Sequence, residues 1–199
     1  LSPEAQLIGA VNTVLNDNGK LIGYNTDGYG FMQSVRDAGH DITGKNITVM
    51  GVGGASMAIC AQSALDGAAS VHIFARRTSR YWNRTQKFAE NLSAKTGCQV
   101  CLFDNDDHTA LRDSIAQSYL LINATSVGMV PDIDDTIIKD TSLFHPELVV
   151  ADVVYEPQET RLLREAKAAG CQTFNGMYML LHQGAKAFQI WTGQEMPVS

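Results

Sequence analysis

Two short stretches of this sequence carry residue types that can bind phosphate. The first follows an apolar, β-branched run and consists of Gly51, Val52, Gly53, Gly54 and Ala55. Glycines let the backbone approach a pyrophosphate closely, and the free N–H groups at the start of a following helix attract its charge. Ser56 stands where a G-x-G-x-x-G fingerprint has its third glycine, so the turn alone also fits an ordinary strand-to-helix connection.

The second stretch is basic and follows the next apolar run. It consists of Ala75, Arg76, Arg77, Thr78, Ser79 and Arg80, and contains no acidic residue. In dinucleotide-binding folds an acidic residue at this strand end binds the ribose 2′-OH of NAD, whereas Arg accommodates the 2′-phosphate of NADP. The stretch therefore favours NADP(H), because guanidinium groups make charge-assisted hydrogen bonds to phosphate. The alternative is a solvated basic helix start, which the helix dipole disfavours.

Other polar residues fall at predicted strand ends and helix starts. Thr26 and Asp27 precede a helical pattern, and their spacing alone favours helix capping over a catalytic role. Thr125 and Ser126 follow a later apolar run, where they would lie over the path of a cofactor. We expect His182, near the C-terminus, to be packed or exposed and not catalytic.

The elements that must position these residues alternate between strand and helix. A short helix ends near Gly9, Asn18-Gly19 predicts a hairpin between strands 10–15 and 20–24, and a helix runs from 30 to 38. Further strands are predicted at 46–52, 70–75, 99–102, 119–124, 147–154 and 172–174, and helices at 55–66, 79–95, 107–117, 159–169 and 177–192. Near-continuous apolar strands between helices predict a parallel sheet covered on both faces. The expected fold class is α/β, a Rossmann-type doubly wound parallel sheet preceded by a short hairpin and helix.

Composition excludes several classes of function. The 199 residues include 15 Lys and Arg against 21 Asp and Glu, and the net charge of −6 argues against binding to nucleic acid or an anionic membrane. No apolar run approaches the ~18 residues of a transmembrane helix, and no signal sequence opens the chain, so we expect a cytoplasmic protein. The Asp-rich stretches 104–107 and 132–135 lack a His or Cys cluster, so we interpret them as loop and capping residues and expect no metal. The start at Leu1 indicates a piece of a longer polypeptide.

Five short motifs stand out in order along the chain. They are Gly9 to Thr13, Asn25 to Gly28, Gly51 to Ala55, Asn123 to Met129, and Gly176 to Gln183 with Met179 and Leu180 between. Together they resemble the shikimate dehydrogenase family, including its quinate/shikimate branch, over essentially the whole chain. The resemblance implies an enzyme that reduces 3-dehydroshikimate to shikimate with NADPH in aromatic amino-acid (chorismate) biosynthesis. The binding partner of the protein would be this small-molecule substrate. Whether the protein forms a homodimer is left open.

The resemblance also implies roles for single residues. Substrate hydroxyls would be held by Asn12 and Asp27, with Tyr155 and Gln183 completing the pocket. Gly51 to Ala55 would hold the pyrophosphate. The adenosine end would be bound by Arg76, Arg77 and their neighbours. The nicotinamide side would be lined by Val153, Gly176 and Met179. Asp27 would form a catalytic pair with a lysine that acts as acid and base at the reacting oxygen.

Two departures from the family pattern matter. No lysine in this sequence matches the motif of the family's catalytic lysine, and Lys20 and Lys45 do not take its role. The substrate domain that carries the catalytic lysine would precede Leu1. Without that domain, this chain would be poorly active. The usual Asn-Arg-Thr at the second strand is Ala75-Arg76-Arg77-Thr78 here, so NADP(H) is expected to be preferred with NAD(H) as the alternative.

The expected domain organisation follows from the same resemblance. Residues 1–26 would be a hairpin and linker from the substrate-domain side, 27–175 the dinucleotide-binding domain, and 176–199 a helix returning to the substrate side. Three alternatives stay open: a quinate/shikimate dehydrogenase that uses NAD, a non-catalytic sensor of the same fold, and, less favoured by the motifs, an NAD(P)-linked enzyme acting on folate or glutamyl-tRNA.

Overall fold

The computed structural model of the protein describes residues 1–198, in which a parallel sheet is covered by helices and preceded by a hairpin. The strands are β1 (Thr13–Asp17), β2 (Lys20–Tyr24), β3 (Asn46–Met50), β4 (Ser70–Ala75), β5 (Gln99–Asp104), β6 (Leu120–Asn123), β7 (Val149–Asp152) and β8 (Gln172–Phe174). The helices are α1 (Pro3–Ile8), α2 (Asp27–Asp37), α3 (Gly54–Leu65), α4 (Trp82–Thr96), α5 (His108–Gln117), α6 (Arg161–Ala168) and α7 (Met177–Thr192), with a 3₁₀ turn at Thr141–Leu143. Within these residues no helix has the length and apolar character needed to cross a membrane.

The larger sheet confirms the predicted fold class. Its six parallel strands lie in the order β5-β4-β3-β6-β7-β8, and β1 and β2 form a separate antiparallel pair. From β3 the chain first builds outward through β4 and β5 and then returns to place β6 on the other side of β3. Ligands of such sheets bind outside the carboxyl ends of the strands, at the point where the order reverses. That point lies between β3 and β6.

Several element boundaries differ from the predicted ones. β3 ends at Met50 because Gly51 has a φ of +113°, outside the range of a strand. β1 begins at Thr13, β7 covers only Val149–Asp152, and α2 begins three residues earlier than predicted, at Asp27. The apolar pattern located each element and gave β2, β4, β8 and α7 their observed bounds. It misplaced ends of the others, where backbone conformation and side-chain hydrogen bonds decide.

Helix α2 lies between α3 and α7, and two of its glycines allow this packing. A Cβ on Gly28 would collide with the carbonyl oxygen of Ala58 in α3. A Cβ on Gly30 would lie 2.7 Å from both Met179 O and Gln183 N in α7. The close approach fixes the N-terminus of α2, where Asp27 lies, relative to α7.

Side chains of Ser2 and Asp107 cap two of the helices. The Ser2 side chain caps α1 by accepting a hydrogen bond from Ala5 N at 3.1 Å. Asp107 caps α5 by accepting from Ala110 N at 2.9 Å, as expected for the Asp-rich stretch. The four cysteines carry free thiols.

Candidate functional site

The glycine turn between β3 and α3 is held tightly on one side and open on the other. A Cβ on Gly51 would lie 2.8 Å from Ala124 O, so only glycine lets β3 and β6 end this close together. Ser56 is buried and donates to Gly51 O at 2.6 Å, which ties the first turn of α3 to the end of β3. Gly53 and Gly54 are exposed, and a Cβ built on either has nothing within 4 Å, so the start of α3 is open to a ligand. Such a helix start suits a phosphate.

Two cavities meet at this turn and form a trough across the strand ends. The first, of about 810 Å³, extends from Gly51 and Gly53 to the residues after β4. The second, of about 570 Å³, shares Gly53 and the 124–126 segment with the first and continues to Val153 and Tyr155 after β7. A ligand that filled both would span the sheet from β4 to β7, which is the path of a dinucleotide in this fold.

The β4 end of the trough is basic. Its lining includes Arg76, Thr78 and Arg80 and, among the described residues, no acidic side chain. The Arg80 guanidinium lies 4.7 Å from the ring centre of Tyr81 and donates to its hydroxyl at 2.6 Å. Arg77 is outside this lining, since its guanidinium stacks 4.7 Å above Trp82. The structure thus brings two of the three arginines to the cavity.

The β6 and β7 end is supported by a buried polar network. Asp152 is 0% exposed and accepts hydrogen bonds from Asn123 Nδ2 at 3.0 Å, Val154 N at 3.0 Å and Thr160 Oγ1 at 2.8 Å. Asn123 in turn accepts from the Thr125 hydroxyl at 2.6 Å. The network ties the loops after β6 and β7 together. Burial raises the pKa of the Asp152 carboxyl, although these hydrogen bonds oppose the rise.

A second polar group forms where the hairpin meets α2 and α7. Asn12 Nδ2 donates to Asp27 Oδ1 at 2.8 Å and to Thr26 Oγ1 at 3.1 Å, and its oxygen accepts from Thr26 N at 3.0 Å. The Thr26 hydroxyl lies 3.5 Å from Gln183 Oε1. The structure therefore brings Asn12, Asp27 and Gln183 together, and we call them, with Thr26, the Asp27 cluster.

The cluster corrects the capping interpretation of Thr26 and Asp27. Thr26 lies at the N-cap position of α2 but makes no capping hydrogen bond, because its side chain is engaged by Asn12. Asn25 instead accepts from Asp27 N at 3.1 Å. The spacing of residues along the chain gave the wrong prediction here, because Asn12, the hydrogen-bond partner of Thr26, lies 14 residues away in the sequence.

Asp27 is the acidic group of this cluster. Burial raises the pKa of its carboxyl, and the hydrogen bond from Asn12 opposes the rise. Within residues 1–198 no lysine forms an ion pair with Asp27. Lys45 lies at the amino end of β3 with its Nζ 5.3 Å from the Tyr119 ring, and Lys20 is exposed in the hairpin. A carboxyl with a raised pKa beside amide and hydroxyl groups can bind substrate hydroxyls and exchange a proton.

The remaining predicted residues lie around the trough and along α7. Tyr155 is 43% exposed and lines the second cavity, away from the hydrogen bonds of the Asp27 cluster. Gly176 N donates to Val154 O at 3.2 Å, so the start of α7 touches the loop after β7. Met179 is buried in the main core. His182 is packed, the first of the two expected placements, with Nε2 2.7 Å from Asp37 Oδ2.

Sequence reasoning did not find the Asp152 network. A signal was present, because Asn123 and Asp152 each close a fully buried strand. They are paired neighbours in the sheet register, which the sequence does not reveal. Thr160, at the N-cap of α6, could be identified only as a capping residue.

Comparison with known proteins gives a consistent result. The family model described as the Shikimate 5'-dehydrogenase C-terminal domain matches residues 176–199. A protein of Listeria innocua named shikimate dehydrogenase (NADP(+)) is 52% identical over 198 residues, which cover 100% of this chain and 68% of the relative. A quinate/shikimate dehydrogenase of Escherichia coli is 42% identical over the same share of both chains. The crystal structure of shikimate 5-dehydrogenase from Listeria monocytogenes, in complex with shikimate and NAD, superposes with a TM-score of 0.96 at 51% identity and covers 99% of this chain and 68% of that one.

Proposed function

The chain belongs to the shikimate dehydrogenase family, and on that premise we propose that the protein reversibly reduces 3-dehydroshikimate to shikimate with NADPH. The observation that carries the proposal is the trough: two joined cavities cross the strand ends from two arginines to the segment that touches the start of α7. A cofactor of matching length and charge would lie with its phosphates at the glycine turn.

The residues present fit NADP(H). Gly51 to Ala55 would hold the pyrophosphate, because the exposed backbone of Gly53 and Gly54 lies at the start of α3. Arg76, Thr78 and Arg80 would bind the 2′-phosphate, with Ala75 beside them. Thr125, Ser126 and Val153 would contact the nicotinamide half, which NADPH uses to supply a hydride. Among residues 1–198, the lining of the β4 end carries no acid to favour the free 2′-OH of NAD, so NADP(H) is preferred and NAD(H) is the weaker alternative.

The Asp27 cluster would bind the substrate. Asn12, Asp27 and Gln183 offer donors and acceptors for ring hydroxyls, and Tyr155 would close the pocket from the trough side. Asp27 would be the catalytic carboxyl, since it is the acidic group of the cluster and burial raises its pKa. Its burial favours a proton held near the reacting oxygen. Gly176 and Met179 would hold α7 against the trough.

We also propose the division of the chain into 1–26, 27–175 and 176–199. The hairpin and α7 both contribute to the Asp27 cluster, and the residues between them build the trough. The reaction would serve aromatic amino-acid biosynthesis in the cytoplasm. Formation of a homodimer remains a prediction.

The proposal is tested by the rate of NADPH formation from shikimate and NADP⁺ with the full-length gene product. Parallel assays replace shikimate with quinate and NADP⁺ with NAD⁺. We expect the highest kcat/KM for shikimate with NADP⁺. A folded protein that binds NADP⁺ but turns over neither substrate would instead be a sensor of the same fold, and a preference for quinate with NAD⁺ would assign it to the other branch of the family.

A further inference from the structure

Glu156 is an acidic residue at the β7 end of the trough, in the cavity assigned above to the nicotinamide half of the cofactor. It lines the cavity of about 570 Å³ together with glycine, alanine, valine, methionine and hydroxyl-bearing residues. Among residues 1–198, no other side chain in this lining carries a charge. The β7 end of the trough therefore holds a single negative group, whereas the β4 end holds two arginines.

The loop that carries Glu156 is anchored on both sides. Before it, Val154 N donates to Asp152 Oδ1 at 3.0 Å. After it, Asn175 Nδ2 donates to Gln158 O at 2.8 Å. These hydrogen bonds hold the backbone of the loop against β7 and β8, while the side chain of Glu156 stays exposed at the cavity.

The carboxylate of Glu156 has no cationic partner in the described part of the chain. It takes part in none of the ion pairs formed there. The next acidic residue, Glu159, differs in this respect, because Lys167 Nζ lies 3.6 Å from its Oε1. The charge of Glu156 is therefore not offset by an ion pair, and apolar walls such as Val153 and Met129 concentrate its field in the cavity.

We propose that Glu156 favours the oxidised form of the bound cofactor over the reduced form. The inference rests on the proposed function, because it needs a nicotinamide ring in this cavity. In the proposed reaction a C–H bond of the neutral ring breaks, its electron pair and hydrogen form a C–H bond at the substrate's carbonyl carbon, and a proton adds to the carbonyl oxygen. The ring that remains is cationic, so a nearby carboxylate attracts it more strongly than the neutral ring.

The same attraction assists reduction of 3-dehydroshikimate. Positive charge develops on the ring as the hydride leaves, and a fixed negative group beside the ring stabilises that charge. The equilibrium between the bound reactants shifts toward shikimate and NADP⁺. The equilibrium in solution is unchanged, because tighter binding of NADP⁺ offsets the shift.

The test compares the Kd of NADP⁺ with that of NADPH by isothermal titration calorimetry. The proteins are the wild type, Glu156→Gln, which removes the charge at nearly constant size, and Glu156→Lys, which reverses it. We expect the ratio of the Kd of NADP⁺ to that of NADPH to rise by about threefold in the glutamine variant and about tenfold in the lysine variant. The ratio cancels effects on the phosphates, which both forms share.

Three controls accompany this comparison. Glu159→Gln, the same change three residues further on and outside the cavity lining, should keep the wild-type ratio. NAD⁺ and NADH should show the same shifts in the Glu156 variants, because the 2′-phosphate binds at the other end of the trough. Raising the ionic strength from about 0.01 M to 1 M shortens the screening length from about 30 Å to 3 Å, so the wild-type ratio should approach that of Glu156→Gln.

The outcomes separate this inference from the proposed function. An equal ratio in the wild type, Glu156→Gln and Glu156→Lys would overturn the role of Glu156 and leave the proposed function standing. An equally large shift in Glu159→Gln would also overturn it, because the effect would then come from net charge and not from position. Failure of the wild-type protein to bind any of the four dinucleotides would remove both proposals.

Discussion

The trough and the Asp27 cluster are built in different ways. Most of the trough consists of residues that directly follow a strand, so each is placed by its own strand–turn–helix unit. The cluster joins Asn12, Thr26 and Gln183, and the last two are 157 residues apart. It depends on the packing of α2 against α7 and of the hairpin against both. One site is local and repeated along the sheet, and the other is assembled from distant parts of the chain.

The two sites also differ in charge. The basic end of the trough holds two arginines and, in the described part of the chain, no acid in its lining. The cluster holds a carboxyl whose raised pKa comes from burial. Because the groups are separate, mutations should affect cofactor binding and substrate turnover independently. Each prediction below tests that separation.

The largest effect is expected from Asp27→Asn. Asparagine keeps an oxygen that accepts from Asn12 Nδ2 and removes the titratable proton. We expect kcat to fall by about a hundredfold to ten-thousandfold, the range for general acid–base groups. The Kd of NADP⁺ should stay unchanged, since Asp27 is outside the trough lining.

Asp37→Asn, at the exposed other end of α2, is the matched control and should keep full kcat. Unchanged kcat in Asp27→Asn would contradict a chemical role for the cluster. A parallel loss of NADP⁺ affinity would show that the two sites are not separate.

The next largest effect is expected from Arg76→Ala. Losing one charge-assisted interaction with the 2′-phosphate should weaken NADP⁺ by about tenfold to a hundredfold and leave NAD⁺ nearly unaffected. Arg77→Ala is the matched control, because that guanidinium stacks on Trp82 outside the cavity lining. Titration of both dinucleotides against both variants measures the difference. An equal loss of NADP⁺ affinity in Arg77→Ala would contradict the assignment of Arg76.

The same contrast between the trough and the Asp27 cluster explains which features could be predicted from the sequence. The strand and helix order, the glycine turn and the basic stretch were all predictable, because each depends on contiguous residues with a clear pattern. The resemblance to the family supplied Asn12, Asp27 and Gln183. Spacing alone assigned capping to Thr26, because the hydrogen bond from Asn12 forms only after the hairpin folds.

The unpredicted parts depend on strand register and on side-chain contacts that form only in the folded structure. Asp152 and Asn123 are paired only through the β6–β7 register, which periodicity does not determine. The role of Arg77 depends on a stacking partner five residues further on, in the first turn of α4.

A smaller effect is expected from Gly30→Ala, which tests the assembly of the cluster. The added Cβ would lie 2.7 Å from Gln183 N, so α2 and α7 must separate. Overpacking of this kind costs about 1–3 kcal/mol of unfolding free energy, measured by urea denaturation. The KM for shikimate should rise, because Gln183 moves away from Thr26 in the Asp27 cluster, while the Kd of NADP⁺ stays the same.

Gly184→Ala on α7 is the matched control. Nothing lies within 4 Å of a Cβ built there, so alanine should stabilise the helix by about 0.5–1 kcal/mol. An unchanged KM for shikimate in Gly30→Ala would show that the cluster does not need the close packing of the two helices.

The smallest effect is expected from Asp152→Asn and appears in the pH dependence of stability. An asparagine oxygen can still accept from Asn123 and Val154, and its amide can donate to the Thr160 hydroxyl. Burial raises the pKa of the wild-type carboxyl above its ordinary value of 3.8. Between the pKa of the unfolded chain and that of the folded state, the folded protein therefore holds a proton that the unfolded chain has lost. Wild-type stability from this group is therefore fully present below pH 3.8 and falls as the pH rises through the folded pKa.

Asp152→Asn removes that contribution, so its unfolding free energy relative to wild type should increase as the pH rises through this window. Urea denaturation of both proteins at several pH values measures the difference, in which the titration of all other groups cancels. A difference that does not change with pH would show that Asp152 ionises equally in the folded and unfolded states. The Asp152 carboxyl joins the loops after β6 and β7 and makes no hydrogen bond to the Asp27 cluster within residues 1–198. Asp152→Asn should therefore keep the turnover that Asp27→Asn removes.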